Sequence, residues 1–189
     1  MTSGEPATSL WLVPAEPHRA ELRGHIDRLA LEHGTPTFEP HVTLASGVAD
    51  HAPVLAAIER VASAWEPLEV VAGTTAHGPD RFKAVFVELE DVRLHDLATA
   101  LCGELGIPFA PEELHPHISL VYAAGLPAEV RAAIAAEHAF AGRTLRFDTL
   151  TASVPGTDID DVPRWQLPVV RPLSGARELL PADTPRPAG

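Results

Sequence analysis

The sequence predicts an α+β fold made of two similar halves, each a β-α-β-α-β unit, with central antiparallel sheets, outer helices and pseudo-twofold symmetry. One five-residue pattern occurs twice, at residues 40–44 (PHVTL) and 116–120 (PHISL). Each copy lies in an apolar run typical of a β-strand. The predicted elements around both copies follow one order, which indicates an internal duplication.

The first half begins with a short apolar strand and a long amphipathic helix. This helix carries its apolar stripe on Leu22, Ile26 and Leu29, has Pro17 in its first turn and ends at Gly34, as helix boundaries prefer. A second helix has Val54, Ile58 and Val61 on one face. In order, the predicted elements are a strand over residues 9–13, a helix over 16–33, the first motif strand, a helix over 53–64 and a strand over 68–72.

The second half repeats this order. Asp91 is a candidate N-cap for a helix with an apolar leucine face that ends at Gly106. The next helix turns Val130 and Ile134 inward. In order, the predicted elements are a strand over residues 84–89, the leucine-faced helix over 92–105, the second motif strand over 117–122, a helix over 127–138 and a strand over 145–154.

We expect a single bilobal domain over residues 8–173, with halves at about 8–78 and 82–155. A strand at about 164–171 closes the sheet after an acidic loop over residues 157–161. The Pro-rich residues 174–189 are predicted to be a disordered tail.

Composition narrows the functional classes. A hydrophobic content of 46% supports a packed core, and no apolar run approaches the roughly 20 residues of a membrane helix. The first residues lack a basic segment followed by an apolar one, so we expect a cytoplasmic protein. The single Cys102 lies in an apolar helical pattern and is expected to be a core thiol. The net charge of −12 disfavours long nucleic acids as partners.

The duplicated motif carries the predicted chemistry. On a strand, residues i and i+2 point the same way, so each copy presents an imidazole beside a hydroxyl. His41 and His117 are the candidate acid–base pair, since a histidine of ordinary pKa supplies either form near pH 7. Thr43 and Ser119 are the candidate phosphate-binding residues, donating hydrogen bonds to the non-bridging oxygens. Two such pairs supply an acid, a base and donors for a phosphate, which suits in-line displacement at phosphorus.

The pair His115 and His117 is also a candidate metal site, because i and i+2 residues on a strand can share a metal. No acidic or cysteine partner lies at ligand spacing beside them, so no metal or cofactor is predicted.

Alternation points Tyr122 away from the motif face unless a bend or bulge turns it back. The sequence leaves open whether two tryptophans, Trp11 and Trp165, belong to the core or stack on a ligand. It also leaves open whether two cations, Arg81 and Lys83, bind a phosphate or are solvated surface charges.

The two motifs, their spacing and the duplicated layout resemble the two-histidine (2H) phosphoesterase superfamily over residues 9–173. The segments 38–44 and 114–122 and the opening strand are most similar to its cyclic phosphodiesterase branch, which has the LigT-like fold. The resemblance implies a metal-independent enzyme acting on ADP-ribose 1″,2″-cyclic phosphate and/or nucleoside 2′,3′-cyclic phosphates. It also implies a ligand-facing Tyr122. A monomer that binds a small nucleotide, with no membrane, is expected.

Two alternatives stay open. The RNA 2′,3′-cyclic phosphodiesterase branch, once called 2′-5′ RNA ligases, typically carries an arginine soon after the second motif, where this chain has Val121 and Tyr122. The same fold could instead serve as a non-catalytic nucleotide-binding module, which intact duplicate motifs argue against.

Overall fold

The structure, a computed structural model, describes residues 8–48, 52–154 and 159–175. The predicted tail from residue 176, the first seven residues and residues 157 and 158 of the predicted acidic loop lie outside this part. The elements are β1 (Thr8–Pro14), α1 (His18–His33), β2 (Val42–Val48), α2 (Ala52–Ala64), β3 (Leu68–His77), β4 (Val85–Leu89), α3 (Val92–Leu105), β5 (His117–Val121), α4 (Ala128–Glu137), β6 (Thr144–Val154) and β7 (Gln166–Pro172), with 3₁₀ helices at Pro111–Glu113 and Ile159–Arg164.

The predicted order of elements is confirmed, and the helix ends follow their sequence signals. Gly34 and Gly106 both adopt left-handed conformations, with φ of 64° and 62°, as residues that end α-helices commonly do. The Asp91 side chain accepts a hydrogen bond from the amide of Arg93, 2.9 Å away, and so caps α3.

β3 and the closing strand differ from their predicted bounds by more than one residue. β3 continues from the predicted residue 72 to His77, because its second part pairs with β4 through His77 and Val85. The closing strand begins at Gln166 rather than at 164. The residues before it form a 3₁₀ helix, in which the amide of Trp165 donates to the carbonyl of Val162.

The strands of both halves form one antiparallel sheet in the order β1-β2-β5-β4-β3-β6-β7. A further pairing of β1 with β6 closes six of the strands into a ring, and β7 extends it from β6. The expected central antiparallel sheets are therefore joined into a single closed one. The α+β class and the duplicated units are as predicted.

The halves are interlocked rather than side by side. The last strand of the first half, β3, pairs with β4 and β6 of the second half, while β6 pairs with β1 of the first. Helices cross over in the same way, since α1 packs on β5, α3 on β2, α2 on β6 and α4 on β3. Exchanging β1 with β4, β2 with β5 and β3 with β6 leaves the ring order unchanged. The topology thus has the expected twofold pseudosymmetry.

The pseudosymmetry relates β2 to its neighbour β5. Val42 and Ile118, the middle residues of the two motifs, are paired across these strands and are both fully buried in the main apolar core. None of the helices in the described ranges is long and apolar enough to cross a membrane.

We expect Ile118→Ala to lower the free energy of unfolding by about 2–5 kcal/mol, because it leaves a cavity where the two halves meet. Urea denaturation followed by circular dichroism measures this loss. Leu31→Ala is the control, since Leu31 is 88% exposed and its truncation should change stability by less than about 0.5 kcal/mol. Equal stabilities for both variants would show that the β2–β5 contact is not a packed junction.

Candidate active site

The structure brings the two predicted histidine–hydroxyl pairs together. Val42 pairs with Ile118, and extending this antiparallel register by one residue to either side sets His41 opposite Ser119 and Thr43 opposite His117. Residues directly opposite each other share one face of a sheet, and diagonal neighbours such as the two histidines are roughly 7–8 Å apart. All four side chains therefore lie on one face at the junction of the halves.

Both histidines are oriented in the same way. Nδ1 of His41 lies 2.6 Å from the carbonyl oxygen of Glu39, and Nδ1 of His117 lies 2.7 Å from that of His115. A carbonyl oxygen only accepts, so each Nδ1 carries the hydrogen and donates it. In the neutral ring Nε2 then holds a lone pair. Each imidazole is arranged to take up or release a proton at Nε2.

His41 occupies an apolar environment. Its side chain is only 6% exposed, and its ring stacks on the indole of Trp11 with the centroids 3.6 Å apart and the planes 10° apart. The hydroxyl of Tyr122 lies 3.4 Å from Nε2. Burial lowers the pKa of His41 to about 4, against the opposing effect of the bond to Glu39. The ring is therefore neutral near pH 7.

His117 is more accessible. It is half-buried, and the ring of Phe86 meets it edge to face with the centroids 5.4 Å apart. Burial lowers its pKa, the bond to His115 raises it and the positive charge of Lys83 lowers it further. The two catalytic candidates thus differ in exposure although their hydrogen bonds match.

The aromatic residues beside the histidines are themselves related by the pseudosymmetry. Trp11 on β1 lies opposite Thr43, and Phe86 on β4 lies opposite Ser119. The sequence alone leaves the role of Trp11 open and assigns Phe86 only to a strand. Trp11 precedes the first motif by nearly the same number of residues as Phe86 precedes the second. This nearly equal spacing along the sequence is the signal that relates the two residues.

Matching irregularities in the two motif strands decide which way Tyr122 points. The register shifts by one residue directly after Thr43 in β2 and directly after Ser119 in β5. An extra residue reverses the alternation that follows it, so Ser46 and Tyr122 turn to the motif face. Tyr122 is buried, stacks on Phe38 at 3.8 Å and lines the cavity beside His41. Burial raises its pKa, so the phenol keeps its proton.

The hydroxyl groups of the two motifs, on Thr43 and Ser119, have different surroundings. The Ser119 hydroxyl donates to the carbonyl oxygen of Phe82, 2.9 Å away. A serine has one hydrogen to donate, so Ser119 must turn from this carbonyl before it can donate to a phosphate. Thr43 lines the cavity next to His41. Their roles as phosphate-binding residues stay predictions.

Two cavities flank the histidine pair. The one on the side of His41 has a volume of about 220 Å³ and a largely aromatic wall; it is lined by Ser9, Trp11, His41, Thr43, Ser46, Phe82, Tyr122 and Trp165. The one on the side of His117 has a volume of about 630 Å³, with Lys83 and several carboxylates in its wall. In the described ranges no three His, Cys, Asp or Glu side chains cluster as a metal site would require.

The matched protein family is described as cyclic phosphodiesterase-like protein, and the match covers residues 6–97. This segment includes the first motif and ends before the second. No curated protein matches the chain significantly by sequence.

Several solved structures share the fold. TT0787 of Thermus thermophilus is 17% identical, with a TM-score of 0.60, over 88% of this chain and 97% of that one. E. coli LigT complexed with NADP⁺ is 18% identical, with a TM-score of 0.56, over 91% and 99%. LigT complexed with 3′-AMP is 16% identical, with a TM-score of 0.56, over 89% and 99%. At these identities the likeness shows the fold alone.

The paired hydrogen bonds give a spectroscopic prediction. In ¹⁵N spectra at neutral pH, His41 and His117 should both carry their hydrogen on Nδ1, because a carbonyl holds it there. The His41 ring should titrate with a pKa of about 4, since burial opposes the charge. Signals are assigned with His41→Ala and His117→Ala. A hydrogen on Nε2 of either ring, or titration of His41 near its ordinary pKa of about 6.5, would contradict the geometry.

Proposed function

We propose that the chain is a metal-independent cyclic phosphodiesterase, a proposal supported by the family match over residues 6–97 and by the shared fold. Its substrates are ADP-ribose 1″,2″-cyclic phosphate and/or nucleoside 2′,3′-cyclic phosphates. The observation that carries the proposal is the placement of His41 and His117 as diagonal neighbours on one sheet face, each with Nδ1 held by a carbonyl.

The proposed reaction is an in-line displacement at phosphorus. One histidine takes a proton from water at Nε2, the water oxygen forms a bond to phosphorus, and the opposite phosphorus–oxygen ester bond breaks. The second histidine donates a proton from Nε2 to the departing ribose oxygen. Each proton transfer typically contributes about 10²–10⁴-fold. Thr43, and Ser119 after turning, donate to the non-bridging oxygens, where negative charge develops.

The cavity beside His41 supports a nucleotide substrate. Its aromatic rings offer flat apolar faces of the kind on which nucleobases stack. Trp11, Phe82, Tyr122 and Trp165 contribute these rings. The LigT structures of the same fold are complexes with NADP⁺, 3′-AMP and ATP. We propose that this chain also binds a small nucleotide. We propose further that it acts as a monomer in the cytoplasm.

The alternative substrate is the 2′,3′-cyclic end of an RNA. The net charge of −12 opposes binding along a phosphate backbone. The larger cavity points the same way, because Glu88, Glu90, Asp91 and Glu112 line it. A small nucleotide is therefore favoured over an RNA strand.

His41→Ala and His117→Ala should each remove nearly all turnover of a nucleoside 2′,3′-cyclic phosphate. The double variant should be little worse than either single variant, because the two groups act as one unit. Turnover after exhaustive chelation should equal that of untreated enzyme. Phosphate-release assays coupled to a phosphomonoesterase measure all of these rates.

The control for these variants is His33→Ala, at the end of α1 and away from both cavities. It should keep wild-type turnover. A loss on chelation that zinc or manganese restores would contradict the metal-independent mechanism. Nucleotide binding without any turnover would favour the non-catalytic alternative.

The paired geometry also predicts a single product. With one histidine on the water side of phosphorus and one on the leaving oxygen, only the ester bond opposite the water breaks. By resemblance, a nucleoside 2′,3′-cyclic phosphate should give the 2′-phosphate and ADP-ribose 1″,2″-cyclic phosphate the 1″-phosphate. Phosphorus NMR distinguishes the isomers. A substantial mixture would refute the in-line arrangement.

A further inference from the structure

Lys83 is the only lysine in the 189-residue sequence, in which every other permanently cationic side chain is an arginine. It is half-buried and lies two residues before the first residue of β4, the strand that pairs with the second motif strand. This placement puts the one ammonium group of the side chains beside the candidate active site.

The contacts of Lys83 lead directly to His117. Its Nζ lies 4.3 Å from the centroid of the Phe86 ring, and that ring meets the imidazole of His117 edge to face. Lys83 and His117 line the same cavity. Among the ion pairs of the described residues, none includes Lys83. The ammonium is therefore fixed over an aromatic face while its charge is not neutralised by a paired carboxylate.

The proposed reaction needs such a charge. A cyclic phosphodiester carries one negative charge, and more negative charge develops on its oxygens as water adds. The motif hydroxyls are neutral, and burial favours the neutral forms of His41 and His117. Arg23 is less suited, since it is paired with Asp27 and Glu39. A positioned cation in a partly buried site stabilises developing charge most effectively.

We propose that Lys83 binds a non-bridging oxygen of the substrate phosphate on the side of His117. Lys83 would then be a further catalytic residue of the proposed cyclic phosphodiesterase reaction, and the inference rests on that function. Phe86 holds the ammonium in place from below. The carboxylates elsewhere in the cavity wall repel anions and so disfavour a second phosphate there.

The kinetic test compares Lys83→Met, which keeps length without charge, with Lys83→Arg, which keeps charge. We expect kcat/KM to fall by about 10²-fold in the methionine variant and by less than about 10-fold in the arginine variant. Arg60→Met is the matched control for loss of one positive charge, because Arg60 is exposed and paired with Glu104 on the helical surface. It should keep wild-type kinetics.

The pH profile separates this role from a structural one. The charge of Lys83 lowers the pKa of His117, so Lys83→Met should move the limb that belongs to His117 to higher pH. The other charged or titratable groups that face this ring are unchanged in the variant; they are Asp80, His115, the cross-strand Glu88 and His41. Lys83→Met with wild-type kcat/KM and an unmoved profile would overturn the proposal.

A binding measurement tests Lys83 without turnover. Reductive methylation with ¹³C-formaldehyde labels only this lysine and the N-terminal amine, so the Lys83 signal is identified by its loss in Lys83→Arg. Adding inorganic phosphate, and separately adenosine 2′-phosphate, should shift the Lys83 signal in a saturable way. An unshifted signal with both would also overturn the proposal. Absence of turnover by the wild-type enzyme would sink the proposed function, while this titration would still decide the phosphate contact.

Discussion

The pairing of Val42 with Ile118 is the contact on which the rest of the site depends. Each motif occupies a separate half of the chain, and neither half holds both histidines. The antiparallel register at this pair alone sets which side chains face each other across the junction. A slip of either strand by one residue would turn the histidine of that strand into the core and its aliphatic residue out of it.

The interlocked topology keeps that pair in place. Because β3 and β6 each cross to the opposite half, separating the halves would break sheet pairing on both sides of the ring. The helices add to this, since each packs on a strand of the other half. The junction that holds the candidate catalytic residues is thus flanked by strand pairings that stabilise it.

The duplication gives both histidines the same backbone arrangement, and differences at single residues give them unlike surroundings. The carbonyl that orients each histidine comes from the same place in both halves, whereas the neighbouring ring is Trp11 beside His41 and Phe86 beside His117. The irregularity after each motif turns the exposed Ser46 to the motif face in one half and the buried Tyr122 in the other. A hydrolysis that needs a base and an acid benefits from such unlike environments.

Local sequence rules are sufficient for the motif faces and the helix ends. Period-two alternation places His41 beside Thr43, and Gly34 and Gly106 end their helices as predicted. The direction of Tyr122 depends on a register shift set by the partner strand, which the sequence admits only as a possibility. The strand exchange and the length of β3 arise from long-range pairing, which local propensity does not encode.

A crystal structure with a nucleoside vanadate, a mimic of pentacoordinate phosphorus, tests the central claim most directly. We expect vanadium between the halves, with its two apical oxygens each within hydrogen-bond distance of Nε2, one of His41 and the other of His117. Vanadate held by only one histidine, or bound away from both cavities beside the histidine pair, would contradict this arrangement.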